Sequence, residues 1–303
     1  MLNFLLYAAT ILIWGTTWIG ITFQLGTVPI EWSVAYRFGL SAFLLLGFCL
    51  VTGRGLKFTA RDHLVFAGLG SFLFSTTYFL TYWSTEYLTS GLVAVGFSLL
   101  ILMNIFNGVL FLRHRIEGGI LAGALLGIAG LALIFWPEIE AFDLSDQTVF
   151  GLGICLLGVF SASLGNTVAS TDTGRTLPVF QKNAWGMLYG TGFMGIYALA
   201  RGNPPGFEMT FDYIVSLIYL AIFGTIIAFS LFLKLISNVG MERASYITVI
   251  FPIVALLIST VFEDYEWSLL AIAGLTLVGV GNIFMQRKKS EAVSAPEGLR
   301  RPV

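Results

Sequence analysis

GGILAGALLGIAGLALIFW, residues 118–136, and WSLLAIAGLTLVGVGNIFMQ, residues 267–286, are uncharged runs of apolar and small residues. Each has about the 20 residues that an α-helix needs to cross the roughly 30 Å hydrocarbon core of a bilayer. The two runs therefore indicate membrane-spanning helices, and their likeness indicates a repeated unit. A shift of 151 residues superimposes this part of the chain on itself and aligns identical residue types at four places: Phe111 with Phe262, Ala122 with Ala273, Gly123 with Gly274 and Gly130 with Gly281.

Eight further apolar runs of similar length accompany these two, separated by short polar breaks. Charged residues make up 11% of the 303 residues and hydrophobic residues 57%, with a mean hydropathy of +0.87, whereas an ordinary soluble domain is about 25% charged. We therefore predict an all-α integral membrane protein with ten transmembrane helices. The first run is predicted to be a retained span, because no basic segment precedes it. The predicted spans are 3–23, 33–52, 64–84, 90–112, 118–136, 149–170, 178–199, 213–234, 244–262 and 267–286.

Basic residues are sorted strongly between the two sides of these helices. All of the 16 lysines and arginines except Arg37 and Arg201 fall on the side that holds both termini. The acidic residues lean toward the opposite side. Because lysine and arginine concentrate in cytoplasmic loops, we predict that both the N and the C terminus are cytoplasmic.

The number of helices in each repeat determines how the two halves are oriented. Five spans take the chain to the other side of the membrane, so the second repeat enters from the opposite side and is inverted. The alternative explanation of the aligned residues is that glycine and alanine are common in any membrane helix. The predicted organisation is a first five-helix repeat at 3–136, a linker loop at 137–148, a second repeat at 149–286, and a disordered basic cytoplasmic tail at 287–303.

Several short motifs stand in order along the chain: Trp14-Gly15-Thr16-Thr17, Tyr36-Arg37-Phe38, Gly240-x-x-Arg243-Ala244, Phe251-Pro252 and Glu263. Together they resemble the EamA domain of the drug/metabolite transporter superfamily. The resemblance implies a ten-helix fold with a central cavity lined by helices 1, 3, 4, 6, 8 and 9. It also implies transport, often export, of amino acids, amines or other metabolites. The sequence departs from the pattern at Ile101, where the first repeat lacks the counterpart of Pro252, and at Arg113-His114-Arg115, where it lacks an acidic helix end.

Charged side chains are missing from the predicted spans except near their ends. Ionisable groups at membrane depth are the usual coupling sites of transporters. We therefore hypothesise transport that is uncoupled or weakly coupled, of a neutral, zwitterionic or apolar solute. The same absence argues against an enzyme. The predicted spans contain no nucleophile with a neighbouring base, no pair of carboxylates and no set of metal ligands within the membrane. No catalytic residue, metal, cofactor or nucleic-acid partner is predicted.

Polar and aromatic side chains recur on single faces of the helices that would line a cavity. In lipid such groups turn toward the protein interior or a wet cavity, and aromatic rings around hydroxyl and amide groups suit an amphipathic solute. The alternative is that serine, threonine and asparagine hydrogen-bond neighbouring helices while the rings only pack. The predicted substrate-cavity residues are Trp14, Thr17, Trp18, Tyr78, Tyr82, Asn104, Ser163, Asn166, Thr225, Phe229 and Tyr246.

Three further residues are predicted to serve the movement of the helices. Pro252 lies within the ninth span, where a proline frees a backbone carbonyl and weakens the helix. It is either a hinge or a static kink. Arg37 and Glu86 lie near the outer ends of the second and third spans, where they either pair as an outer gate or extend separately to lipid headgroups.

The leading interpretation of the whole chain is a secondary carrier that exports a small organic metabolite by alternating access. The alternative is a membrane receptor or scaffold without transport activity. The expected location is a bacterial inner membrane, with the lipid bilayer and the small-molecule substrate as partners. Glycines repeat every fourth residue at Gly119, Gly123 and Gly127. Such faces serve helix packing, so the protein is expected to be a monomer or a weak homodimer.

Overall fold

The computed structural model describes residues 2–112, 118–136, 147–239 and 247–294, and the regular structure within these ranges is helical. Two of the long helical stretches contain a π-helical segment, here named π1 and π2. The elements are α1 Leu2–Thr22, α2 Ile30–Val51, α3 Ala60–Leu69, π1 Gly70–Thr76, α4 Thr77–Ser84, α5 Ser90–Phe97, α6 Leu100–Leu112, α7 Gly118–Ile134, α8 Gln147–Ala169, α9 Asp172–Thr176, α10 Val179–Ala200, α11 Phe211–Ala221, π2 Ile222–Ile227, α12 Ala228–Val239, α13 Ile247–Phe262 and α14 Leu269–Ser294.

The helices have the lengths and compositions of membrane spans. Large hydrophobic side chains such as Phe43, Leu157 and Val261 are exposed. Helices with this apolar exterior cross a bilayer readily, because all their backbone bonds are made internally. Six described stretches are long and apolar enough to span a membrane: Leu2–Thr22, Ile30–Val51, Ala60–Ser84, Ser90–Phe111, Gln147–Ala169 and Phe211–Phe232. Shorter apolar helices lie at Leu125–Ile134, Ile250–Phe262 and Leu269–Gly281. The prediction of an all-α, multi-pass membrane protein is confirmed.

Local sequence explains where several helices begin. At the start of α3, Thr59 Oγ1 accepts a hydrogen bond from the Asp62 amide (3.3 Å), and the Asp62 carboxylate accepts one from the Thr59 amide (2.9 Å). This reciprocal pair satisfies amide groups that the first helical turn leaves open. Pro29 directly precedes α2; it has no backbone N–H to satisfy, and its carbonyl accepts from the Ser33 amide (3.2 Å). Because α2 begins at Ile30 and not at 33, Arg37 lies about 10 Å along the helix from its start.

The C-terminal helix extends further than the sequence predicts. The predicted last span ends at 286, but α14 continues to Ser294. The added residues are mostly Arg, Lys, Glu and Ala, which favour helix, and no glycine or proline interrupts them. The helix therefore covers 287–294 of the predicted tail, and the disorder of the tail stays a prediction. Residues 295–303 and most of the predicted linker loop, 137–146, lie outside the described residues.

Helices α7 and α14 approach each other at their glycines. A Cβ atom added to Gly130 would lie 2.5 Å from the carbonyl oxygen of Gly274, and one added to Gly281 would lie 2.6 Å from that of Gly123. Side chains larger than hydrogen would prevent this contact, which is the usual role of small residues between membrane helices. The 151-residue shift makes Gly130 equivalent to Gly281 and Gly123 equivalent to Gly274. Replacing each glycine of the first contact by its equivalent therefore gives the second contact.

The third and eighth predicted spans are both interrupted by π-helical turns. π1 begins at Gly70 and π2 at Ile222, so their separation along the chain is nearly the 151-residue shift that relates the two predicted repeats. In each span a threonine hydroxyl donates to the carbonyl oxygen five residues earlier: Thr77 to Phe72 (2.7 Å) and Thr225 to Leu220 (2.9 Å). Single π turns inside α-helices occur frequently at functional sites. The residues between these two spans are therefore candidates for a functional site.

Candidate substrate site

Arg37 lies inside the helix bundle, between the third and eighth predicted spans. Its side chain is only 2% exposed. The guanidinium carbon lies 4.6 Å from the ring centre of Tyr78, which directly follows π1, and Nη2 lies 3.5 Å from Thr225 Oγ1 in π2. The hydroxyl of Tyr82 is close enough to interact with its charge. Arg37 therefore connects α2 to both spans that contain π turns.

The charge of Arg37 has no balancing carboxylate in the part of the chain that the structure describes. The ion pair found there joins Arg201 to Glu31 at 3.6 Å. Nε and Nη1 of Arg37 are buried, and no described group accepts a hydrogen bond from them. An unpaired charge in an apolar interior costs several kcal/mol. The expectation that charges lie only near the span ends is wrong for this residue, because α2 starts earlier and its third turn faces the interior.

Residues of the first span contact π2 beside Arg37. Trp14 Nε1 donates to the carbonyl oxygen of Gly224 (3.3 Å), and the Trp14 ring meets Phe229 edge-on, with 5.4 Å between ring centres. The methyl group of Thr17 packs where a Cβ of Gly224 would be, while its hydroxyl donates to the Trp14 carbonyl. The structure thus brings four of the predicted residues together: Trp14, Thr17, Thr225 and Phe229.

Trp18 joins this group to the fourth and ninth predicted spans. Its ring lies 5.0 Å from Phe97 and is stacked on Phe251 at 5.9 Å, centre to centre. It also packs against the hydrophobic cluster that contains Tyr82. The Trp18 indole N–H is buried, and no described group accepts its hydrogen bond. It is a second interior donor that lacks an acceptor.

The predicted polar residues of helices 4 and 6 pair with each other. Asn166 Nδ2 donates to Asn104 Oδ1 (3.2 Å), and Asn107 Nδ2 donates to Ser163 Oγ (2.9 Å). These bonds fit the alternative interpretation of such residues, in which they hold neighbouring helices together. Asn107 is fully buried and was not predicted. It lies about one helical turn after Asn104, and this spacing places both side chains on the same face of the helix.

Two other predicted residues stand apart from this group. Tyr246 lies outside the described residues. Pro252 is buried inside α13, which continues through it from Ile247 to Phe262. Whether it acts as a hinge stays a prediction. No group of three or more His, Cys, Asp or Glu in the described ranges is arranged to hold a metal ion.

The predicted outer gate between Arg37 and Glu86 is absent. Arg37 points inward, whereas Glu86 is exposed beyond the end of α4. Partial desolvation raises the pKa of Glu86 from its ordinary value, and the nearby Glu31 carboxylate raises it further. An arginine partner would lower that pKa. The placement of the two side chains therefore contradicts the pairing.

A different set of residues connects the predicted outer ends of the fourth and ninth spans. The Glu263 carboxylate accepts from the Ser90 amide (3.0 Å to each oxygen), from Ser90 Oγ (2.6 Å) and from Ser259 Oγ. Ser259 Oγ in turn accepts from the Gly91 amide (2.8 Å). We name Ser90, Gly91, Ser259 and Glu263 the outer latch. The sequence placed Glu263 at a helix end, but it gave no sign of the partner helix.

Comparisons with known proteins agree with this architecture. The helical, multi-pass architecture places the chain in the class of polytopic α-helical membrane proteins. The chain belongs to the EamA-like transporter family, which matches residues 1–136 and 149–286. The resemblance stated from the motifs is therefore confirmed, and a non-enzymatic membrane transporter is the function that this family indicates.

Curated relatives carry transporter names. An uncharacterized transporter in the trpA 3' region of Buchnera aphidicola subsp. Schlechtendalia chinensis is 25% identical over 87% of this chain and 84% of that protein. The uncharacterized transporter YvbV of Bacillus subtilis (strain 168) is 26% identical over 96% and 93%. The uncharacterized inner membrane transporter YedA of Escherichia coli (strain K12) is 26% identical over 92% and 91%.

A solved structure supports the fold alone. A crystal structure of a protein with 16% sequence identity superimposes with a TM-score of 0.68, over 97% of this chain and 99% of that one.

Proposed function

We propose that the protein is a secondary carrier that moves a small organic metabolite across the membrane by alternating access. Two inverted five-helix repeats, 3–136 and 149–286, would provide two related conformations, each open to one side. Export is the direction that the family resemblance favours. The expected location is a bacterial inner membrane with both termini cytoplasmic, consistent with the distribution of lysine and arginine.

The reciprocal glycine contact of α7 and α14 is the observation that carries this proposal. Gly130 meets Gly274, and Gly281 meets Gly123. An exchange of the two halves of the chain converts one contact into the other, as expected for a pseudo-twofold axis that relates two repeats. The two family matches, one in each half, and the corresponding positions of π1 and π2 support the same arrangement.

The interior group supports a small organic substrate. Trp14, Trp18, Tyr78 and Phe229 supply aromatic surface, and Thr225 and Arg37 supply polar groups between the halves. Binding sites for small molecules combine apolar lining with a few polar groups that fix orientation. A receptor or scaffold would share the fold but would move no solute.

Uptake into proteoliposomes tests the proposed function. The purified protein would be reconstituted and offered a mixed pool of labelled metabolites, with and without an imposed pH gradient. We expect saturable flux of at least one solute, and Trp14→Ala and Tyr78→Ala should reduce it at least about tenfold if these rings contact the substrate. Protein-free liposomes give the background flux.

The outcomes of this experiment separate the alternatives. Flux without a gradient would indicate facilitated transport, and flux only with a gradient would indicate coupling to protons. No flux above background for any solute, from protein that is correctly folded and inserted, would favour the receptor or scaffold. Wild-type flux in both ring variants would remove Trp14 and Tyr78 from the substrate site.

A further inference from the structure

The charge of Arg37 requires a partner that the described part of the chain does not supply. A guanidinium has five N–H donors and stays protonated in proteins. Three of those donors belong to Nε and Nη1, which are buried without an acceptor, while Nη2 makes one long contact with Thr225. An ionisable side chain at membrane depth marks a functional site by default. The structure therefore contains a cation that is ready to receive an anion.

The surroundings of Arg37 describe the rest of that ligand. The guanidinium lies over the faces of Tyr78 (4.6 Å) and Phe38 (5.4 Å). Trp18 and Tyr82 belong to the same packed group. The Trp18 indole N–H lacks a described acceptor, and the Tyr82 hydroxyl lies close enough to interact with the charge of Arg37. Several donors without acceptors, held among aromatic rings, suit an acceptor-rich anionic group attached to an apolar body.

We propose that Arg37 binds the carboxylate of the transported solute, and that the solute is an aromatic or aliphatic monocarboxylate. A planar guanidinium matches a carboxylate through two parallel hydrogen bonds. An amino acid would bring an ammonium group as well, which needs an anionic partner. No described carboxylate forms an ion pair with Arg37, so none lies beside the site to hold that ammonium group. This assignment rests on the proposed transport function and replaces the expectation, drawn from the sequence, of a neutral or zwitterionic solute.

The position of Arg37 also suits a carrier. It extends from α2 in the first repeat, and its Nη2 contact, Thr225, lies in π2 of the second repeat. A Cβ added to Gly224 would lie 3.6 Å from Nη2, so the backbone of π2 is close to the charge. A carboxylate bound here would contact both repeats at their interface, where carriers bind their substrates.

Binding measurements on the purified full-length protein test the assignment. The probes are 3-phenylpropanoate, indole-3-acetate and 4-methylpentanoate, each compared with its neutral amide, together with 3-phenylpropylamine and phenylalanine. Isothermal titration and the rise in melting temperature are both recorded. For the wild type we expect at least one carboxylate to bind about thirtyfold or more tightly than its amide, which corresponds to losing one partner of a buried charge pair.

Variants locate the effect at Arg37. Arg37→Gln should abolish the preference for carboxylate over amide. Arg37→Lys should keep the preference but weaken binding about tenfold, because an ammonium cannot form the two parallel bonds. Arg201→Gln is the matched control, since it removes a basic side chain that is mostly exposed at the end of α10 and pairs with Glu31. If Arg37→Gln does not fold, the Arg37→Lys result decides.

Each outcome has a defined meaning. If the wild type binds no carboxylate, or binds amides or the amine as tightly, the assignment is overturned. It is also overturned if folded Arg37→Gln keeps the carboxylate preference, or if Arg37→Lys binds like the wild type. Transport of neutral solutes or amines by the same protein would then leave the proposed function intact. Carboxylate binding without any flux in proteoliposomes would instead contradict the proposed function.

Discussion

Replacing Gly274 with valine is expected to disrupt the packing of α7 against α14 and to lower the stability of the protein sharply. A Cβ at this position would overlap the carbonyl oxygen of Gly130, and it would also lie 2.7 Å from Ile134 Cγ1 and 2.9 Å from the Ile134 backbone nitrogen. Two of these neighbours are backbone atoms, so a change of rotamer cannot relieve the clash. We expect a cost of about 3 kcal/mol or more, the upper end for overpacking. Melting temperature and the yield of monodisperse protein in detergent measure it.

Gly192→Val is the matched control for this substitution. Gly192 also lies within a long helix, α10, but it is exposed, and a Cβ added there would have no heavy atom within 4 Å. Both changes add the same atoms and carry the same helix-propensity effect. Equal melting temperatures for the two variants would show that the glycine contact contributes little and would weaken the argument for two related halves.

The same glycines show how far the sequence could predict the fold. The 151-residue shift paired Gly123 with Gly274 and Gly130 with Gly281, and it thereby marked equivalent positions. In the structure the direct contacts are Gly130 with Gly274 and Gly123 with Gly281. A repeat reveals which residues are equivalent, whereas the crossing of two helices depends on how the halves pack together. The sequence of neither helix alone contains the information on how the two helices cross.

Helix boundaries limited the prediction of the site. The apolar run of the second span begins at 33, which predicts Arg37 near the edge of the membrane. Pro29 allows the helix to start at Ile30 and places Arg37 in the third turn. Which face of α2 points inward depends on α10 and on the spans that contain π1 and π2. No periodicity in the sequence indicated the π turns, because the residues around them are ordinary helix formers in membranes. The aromatic group of Trp14, Trp18 and Phe229 was predictable, since its spacing along each helix is regular.

The interior polar residues divide into two kinds once their partners are known. Asn104, Ser163 and Asn166 have partners on the neighbouring helix, and Thr17 bonds to its own helix. Asn107 donates to Ser163, while its side-chain oxygen has no described donor. Arg37 and Trp18 retain donors without described acceptors. A sequence gives the same signal for both kinds, because a polar side chain in an apolar run turns inward in either case. Among these residues, a buried charge whose donors lack described acceptors therefore marks Arg37 as a binding group better than residue type does.

Removing the Glu263 side chain is expected to release the outer latch. In Glu263→Ala the Ser90 amide, Ser90 Oγ and Ser259 Oγ all lose their acceptor. Hydrogen bonds to a charged group contribute about 1.5–3 kcal/mol each, so a net cost near 2 kcal/mol would shift a two-state equilibrium about thirtyfold toward the form with separated ends. Glu263→Gln should have a smaller effect, because its amide keeps one acceptor oxygen.

Cysteine accessibility measures this shift. Phe97→Cys, introduced after Cys49 and Cys155 are replaced by alanine, places a thiol beside Trp18 in the interior. If the latch closes the outer side, a membrane-impermeant maleimide added outside should label this thiol at least about tenfold faster in Glu263→Ala than in the parent. Glu266→Ala, which changes an exposed acidic residue three positions further on, should label at the parental rate.

Equal labelling in both variants would mean that the latch only stabilises the helix ends. Faster labelling in Glu263→Ala alone would identify Glu263 as the residue that holds the outer side closed, in place of the Arg37–Glu86 pair expected from the sequence.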